Sequence, residues 1–172
     1  MVELSVLDFR RNNFTGSLPP FCAQTDSLRA IVLNGNLFKE PVPVSLLNCV
    51  GLEVLDLGND AINDIFPAWL GTLQELQVLI LKFNLFHGPI SDIPMEWGQL
   101  NMLEALDLSW NRLTGKIPQG LTRMNFLVVL KLFQNHLVAP IPHGPQFNTF
   151  ENDSYGGNVD LCGPPIKAMW NE

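Results

Sequence analysis

The stretch that decides the fold is residues 103–118, which read LEALDLSWNRLTGKIP. Its leucines, one asparagine, one glycine and a final Ile-Pro pair form the template L-x-x-L-x-L-x-x-N-x-L-x-G-x-I-P. The template matches again from Leu127, which is 24 residues after Leu103, and several times before it. Self-similarity at such a period indicates a solenoid, in which every repeat forms one coil stacked on the next.

Six matches cover most of the chain and predict an α/β solenoid of the leucine-rich-repeat class, with repeats of about 24 residues. Residues 1–142 hold these repeats, and residues 143–172, where the template stops, are predicted to form a C-terminal cap and tail. The alternating L-x-L core predicts a short strand whose leucines point inward, so the strands should stack into a parallel sheet on the concave face. The asparagine position is predicted to satisfy backbone groups inside the stack. Its occupants are Asn12, Asn36, Asp60, Asn84, Asn111 and Asn135.

The spacing of the repeats is broken once, because Leu76 and Leu103 are 27 residues apart. The extra residues fall between Gly88 and Ile93. We expect a local bulge on the flank of that coil, with the register of the core intact on both sides.

The cysteines can be placed by counting from the proline of each repeat. Cys22 falls where the next repeat has Leu46, and Cys49 falls where the following one has Leu73. Both are therefore predicted to be small buried hydrophobic residues, and a disulfide between them is disfavoured because they occupy different points of the coil.

Composition narrows the classes of function. The formal net charge of −7 argues against a nucleic-acid partner, because phosphate binding needs a cationic face. We find no signal peptide and no apolar run long enough to cross a bilayer, so contact with a membrane is expected only through a segment absent from this sequence. No nucleophile–base pair or metal-ligand spacing is present, which predicts a protein that is not an enzyme and needs no cofactor or metal. The three histidines are interpreted as surface residues.

The concave face of the sheet is the candidate binding surface. Side chains between and just after the strand leucines should project there, and the aromatic ones fall on adjacent repeats, where polar residues would suffice. Exposed aromatic side chains beside charged groups are typical of protein and peptide interfaces. The candidate ligand-binding residues are Arg10, Arg11, Lys82, Phe83, Asp107, Ser109, Trp110, Lys131 and Phe133. The alternative is that the rings only pack on the sheet surface or under the cap.

Two motifs carry a resemblance to a known family. The sequences TGSLP (15–19) and TGKIP (114–118) resemble the plant-specific class of leucine-rich repeats. The tail GPQFNTFENDSYGGNVDLCGPP (144–165) resembles the segment that closes the extracellular repeat domain of plant leucine-rich-repeat receptor-like proteins. In that family a second cysteine usually follows the one that matches Cys162, and its absence here implies an unpaired thiol.

The resemblance implies a module that binds a ligand or co-receptor in defence or developmental signalling, at the extracellular face of the plasma membrane or in the apoplast. Its implied partners are a peptide or protein ligand and a receptor kinase acting as co-receptor. The alternative is a secreted inhibitor of a pathogen enzyme, similar to polygalacturonase-inhibiting proteins, although those usually have paired cysteines in both caps. An ice-binding solenoid is disfavoured by the irregular strand positions. For a secreted chain, Asn13 and Asn152 lie in N-x-[ST] sequons and are predicted glycosylation sites.

Overall fold

The computed structural model describes residues 3–23 and 27–166, which form a solenoid built on parallel strands. In chain order the strands are β1 (Val6–Asp8), β2 (Thr15–Gly16), β3 (Ala30–Val32), β4 (Leu37–Phe38), β5 (Val54–Asp56), β6 (Val78–Ile80), β7 (His87–Pro89), β8 (Ala105–Asp107), β9 (Arg112–Lys116), β10 (Val129–Lys131), β11 (His136–Pro140) and β12 (Asp160–Cys162). One sheet has six strands in the order β1-β3-β5-β6-β8-β10, a second has the order β12-β11-β9-β7, and β2 pairs with β4.

The middle residue of each strand in the six-stranded sheet points into the core. Leu55 pairs with Leu79, and Leu79 pairs with Leu106, so the three leucines form one column. Each of them is fully buried. Burying a leucine side chain contributes roughly 2 kcal/mol, and the same contribution recurs at every coil. The predicted leucine-rich-repeat solenoid, with its inward column of leucines, is confirmed.

Short 3-10 helices cross the outer side of the coils. Four have five residues, and each follows a proline that fixes φ and ends the preceding extended segment. The third residue after that proline is buried in each case. The helices are Val44–Asn48, Ala68–Thr72, Met95–Gln99, Gln119–Arg123, Phe147–Thr149 and Asn152–Ser154. Within the described ranges, none of the helices has the length and apolar character needed to span a bilayer.

The three-residue insertion forms a turn on the flank of its coil, as predicted. Ile90 and Ile93 are buried, and the N–H of Ile93 donates to the carbonyl of Ile90 at 3.1 Å. Ser91 and Asp92 between them are exposed. The pairing of β6 with β8 continues across the insertion, so the sheet keeps its register.

The prediction that disfavoured a disulfide between Cys22 and Cys49 is wrong, because the two residues form one. Cys49 is buried, as predicted, whereas Cys22 is only partly buried. Their Cα atoms are 5.3 Å apart, within the range that a disulfide requires. Counting from the prolines failed because residues 21–23 form a turn where the following repeats have a 3-10 helix. In that turn Cys22 has a φ of 56°, and Phe21 takes the buried position instead. Cys162 carries a free thiol.

The C-terminal segment covers the last coil. Strand β12 pairs with β11, and the N–H of Leu132 donates to the carbonyl of Ser154 at 2.7 Å. The apolar side chains of the segment are buried, and they are Phe147, Phe150, Tyr155 and Leu161. At the opposite end β1 is the edge strand, and Leu4, Phe9 and Phe14 are exposed.

Candidate ligand-binding face

A ladder of buried asparagines holds successive coils together just beyond the strands. Asn111 shows the arrangement: its Oδ1 accepts from the N–H of Phe86 at 3.0 Å, and its Nδ2 donates to the carbonyls of Leu81 and Leu108 at 3.0 and 3.1 Å. One side chain thus links two coils through both halves of its amide. Asn36, Asn84 and Asn135 make equivalent bonds.

The two ends of the ladder differ from its middle. Asn12 is exposed and donates only within its own repeat, to the carbonyls of Phe9 and Arg10. Asn158, in the cap, continues the ladder: its Oδ1 accepts from the N–H of Leu137 at 3.0 Å. Sequence reasoning missed Asn158, because Tyr155 stands where the template requires a leucine. The only available signal was its spacing of 23 residues from Asn135.

The residue before each ladder position adopts a left-handed backbone conformation. The φ angles there are 56° at Asn59, 52° at Phe83 and 54° at Trp110, and Gly35 has a φ of 75°. Glycine and asparagine accept this conformation readily, whereas bulky residues seldom adopt it. The turn ends each strand segment and presents the side chain at the edge of the concave face.

Three rings on adjacent coils form what we call the aromatic shelf, namely Phe83, Trp110 and Phe133. The rings of Phe83 and Trp110 are stacked, with centroids 5.2 Å apart and planes inclined by 11°. Phe133 meets Trp110 edge-on at 6.5 Å. Phe83 and Trp110 are each 44% exposed, so about half of each ring is free to contact another molecule. These rings are therefore not confined to packing on the sheet or under the cap.

Charged side chains border the aromatic shelf in pairs. Lys82 Nζ lies 3.9 Å from Asp107 Oδ2, and Lys131 pairs with Asp153. Asp107 also accepts a hydrogen bond from the hydroxyl of Ser109 at 2.6 Å. Ser109 is only 1% exposed, so its hydroxyl orients Asp107. Contrary to the prediction, Ser109 is therefore not open to a ligand.

Arg10 and Arg11 lie apart from the shelf. Strand β1 is three strand spacings from β6, about 14 Å. The guanidinium of Arg10 is engaged with Asp8 at 2.6 Å, and this hydrogen bond lowers the pKa of Asp8. The predicted site residues thus divide into an arginine end and an aromatic end, and only the aromatic end forms a cluster.

A groove continues the aromatic end toward the cap. Its volume is about 440 Å³, and Phe133 and the Lys131–Asp153 pair lie in its wall with Gly156 and Gly157. The cap residues were not among the predicted site residues, because their approach to the shelf depends on how the tail folds over the last coil.

The predicted modification sites differ in their surroundings. Asn13 and Thr15 of the first sequon are exposed. In the second sequon Asn152 is exposed, but Ser154 is buried. Within residues 3–23 and 27–166, no group of three His, Cys, Asp or Glu side chains is placed to hold a metal ion.

Comparisons with known proteins agree with this architecture. The Leucine Rich Repeat family model matches residues 3–24 and 102–124. Receptor-like protein 35 of Arabidopsis thaliana is 40% identical over 115 residues, which cover 67% of this chain and 12% of the relative. The chain thus spans about an eighth of the length of that curated relative.

Solved structures of plant receptor ectodomains show the same coil. The Arabidopsis receptor kinase HAESA, in complex with the peptide hormone IDA and the co-receptor SERK1, aligns with a TM-score of 0.82 and 32% identity over 98% of this chain and 27% of that chain. The plant peptide hormone receptor RGFR1, in complex with RGF2, aligns with a TM-score of 0.77 and 31% identity over 87% of this chain and 23% of that chain. The repeats, the tail motif and these similarities together assign the chain to the plant leucine-rich-repeat receptor-like proteins.

Proposed function

We propose that the aromatic end of the concave face binds an extended peptide or a peptide-like segment of a protein ligand. The chain would act as a recognition module in defence or developmental signalling, and not as an enzyme. The observation that carries the proposal is the stack of Phe83 on Trp110, with both rings about half exposed.

The energetics of such rings favour binding. Aromatic side chains supply large contact areas with little conformational entropy to lose, and they are enriched among the residues that dominate interfaces. Phe83 and Trp110 already hold each other in place, so a ligand would not have to order them. Preorganisation of this kind increases affinity without any additional contact.

The dimensions of the surface favour an extended ligand. The distance from the coil of Phe83 to the groove beside the cap is about three coil spacings, roughly 14 Å. An extended chain spans this distance with about four residues. The Lys82–Asp107 and Lys131–Asp153 pairs lie along the way and offer donors and acceptors to its backbone and polar side chains.

The similar structures support a second partner. HAESA is described in complex with both a peptide hormone and a co-receptor. By analogy we propose that a receptor kinase associates with this protein once the ligand is bound, at the extracellular face of the plasma membrane. Fold similarity alone does not transfer a ligand, so the ligand of this chain must be identified through its own residues.

The test begins with selection of binders from a displayed library of random peptides, using the folded protein as bait. The enriched peptides are then titrated calorimetrically against the wild type, Trp110→Ala, Trp110→Phe and Phe126→Ala. Phe126 is an exposed aromatic residue outside the shelf and serves as the matched control. We expect Trp110→Ala to weaken binding by about tenfold or more, Trp110→Phe to retain most of it, and Phe126→Ala to leave it unchanged. Equal affinity of the wild type and Trp110→Ala for every enriched peptide would contradict the proposal.

A further inference from the structure

The ladder position of the third repeat is occupied by an acid, Asp60, where the neighbouring coils have asparagine. Its Oδ1 plays the asparagine's accepting role and receives the N–H of Phe38 at 3.1 Å. Its Oδ2 is buried and has no hydrogen-bond partner among the described residues. A buried polar atom without a partner is rare and needs a physical explanation.

The neighbouring coils show what this Oδ2 faces. Asn84 Nδ2 donates to the carbonyls 27 and 3 residues before it, those of Leu57 and Leu81, at 2.7 and 3.1 Å. Asn36 Nδ2 donates at the same offsets. The same offsets from Asp60 lead to the carbonyls of Leu33 and Leu57. An ionised carboxylate would place negative charge against these carbonyl oxygens, whereas a carboxylic O–H could donate to one of them.

We propose that Asp60 is a neutral carboxylic acid in the folded protein at mildly acidic pH, with its Oδ2–H donating to the carbonyl of Leu33 or Leu57. Its ionisation then removes a hydrogen bond and sets like partial charges against each other at the junction of repeats two and three. This rung of the ladder is therefore a pH-sensitive link between two coils.

The groups that surround Asp60 favour the neutral form. Burial is the largest cause that raises the pKa of Asp60, and the negative charge of Asp56 in the same repeat acts in the same direction. The backbone N–H groups of Phe38 and Asn36 favour the ionised form, and the net result is a pKa of about 6. The side chains that repeats two and four present at the ladder are the neutral amides of Asn36 and Asn84.

The direction of the pH effect follows from linkage. The folded state holds the Asp60 proton up to about pH 6, whereas the ordinary pKa of an aspartate side chain is 3.8. The folded state thus binds more protons between these values, and stability falls as the pH rises through that window. Below about pH 4 the ionisation of Asp60 causes no loss of stability, and above about pH 6 the loss is complete and no longer changes with pH.

The test compares urea unfolding of the wild type, Asp60→Asn and Asp92→Asn between pH 3.5 and pH 7.5 (roughly the window that linkage defines). Asn at position 60 supplies the missing donor, so we expect this variant to unfold less readily than the wild type at the upper pH. The ratio of the unfolding constant of the wild type to that of Asp60→Asn should be smaller at the lower pH by about tenfold or more. This expected change is less than the pKa shift alone would give, because Asp60 is only partly buried. Asp92 is exposed on the insertion turn, and Asp92→Asn should follow the wild-type profile.

A second variant places an aspartate at the ladder position of the next coil. Asn84→Asp should acquire the same dependence on pH, since its neighbours are the carbonyls of Leu57 and Leu81. A carboxyl NMR titration of the wild type should place the Asp60 midpoint near 6. Parallel stability profiles for the wild type and Asp60→Asn, or an Asp60 midpoint below 4, would overturn the proposal.

Discussion

Removal of the Cys22–Cys49 disulfide tests how the first two repeats are held together. The change is the double substitution of Cys22→Ala and Cys49→Ala, which also avoids a new unpaired thiol. The bond closes a loop of 27 residues, for which the chain-entropy model gives about 3.5 kcal/mol of stabilisation. Cys49 is also fully buried, and loss of its sulfur adds about 1 kcal/mol. We expect a total loss of about 4.5 kcal/mol, a large share of the stability of a domain of this size.

Two measurements check this expectation. Urea unfolding without reductant gives the loss of stability, and Cys162→Ala is the control because its thiol is free and its loss should change stability by less than about 0.5 kcal/mol. Hydrogen exchange gives the location. In a solenoid, stability is set by neighbouring coils, so the amide of Leu33, which donates to the carbonyl of Asp56, should exchange faster, while that of Leu132, which donates to the carbonyl of Ser154, is little changed. A loss below about 1 kcal/mol, or equal acceleration at both amides, would refute the reasoning.

Two further substitutions test local features of the last repeat and the cap. Ala139 has a φ of 70° at a position where Gly16, Gly88 and Gly115 have φ angles of 80–84°, so Ala139→Gly should stabilise the protein by about 1 kcal/mol in thermal unfolding. Ala105→Gly, in an ordinary strand, should instead destabilise it by a similar amount, and a loss for both would contradict the prediction. The hydroxyl of Tyr155 is buried without a partner among the described residues, and burial raises its pKa. Tyr155→Phe should therefore raise the free energy of unfolding by about 1 kcal/mol in urea, and a clear loss would show that the hydroxyl is satisfied in solution.

The parts of the fold that repeat could be predicted, because a periodic pattern states the same constraint several times. Leu55, Leu79 and Leu106 each occupy the same template position, and each is fully buried in one column. The insertion was also placed correctly, since the positions on both sides of it remained recognisable. Where a coil departs from the pattern, counting fails. The turn at residues 21–23 places Cys22 beside Cys49. The spacing of the other coils could not predict this turn, because they have a 3-10 helix there.

The candidate site was predictable only in part. Template positions indicate where a backbone segment lies, and they correctly placed Phe83 and Trp110 on neighbouring coils. They do not indicate which partner a polar side chain chooses. Ser109 turns back to Asp107 and is buried, and Asp153 reaches Lys131 from a cap whose path the repeats do not determine.

The aromatic shelf remains the feature that the fold itself does not require. Phe83 and Trp110 occupy left-handed positions, where a bulky residue costs roughly 1–2 kcal/mol relative to glycine. The stacking of the two rings contributes about 1 kcal/mol to stability. Because each residue is 44% exposed, burial of its ring adds little more. Gly35 and Asn59 close the equivalent turns of two other coils with residues that suit the conformation, whereas Arg11 and Gln134 adopt it without being glycine or asparagine. Because the solenoid can also be built at these positions with small or polar residues, these two half-exposed rings side by side are the residues on which the proposed ligand-binding role depends.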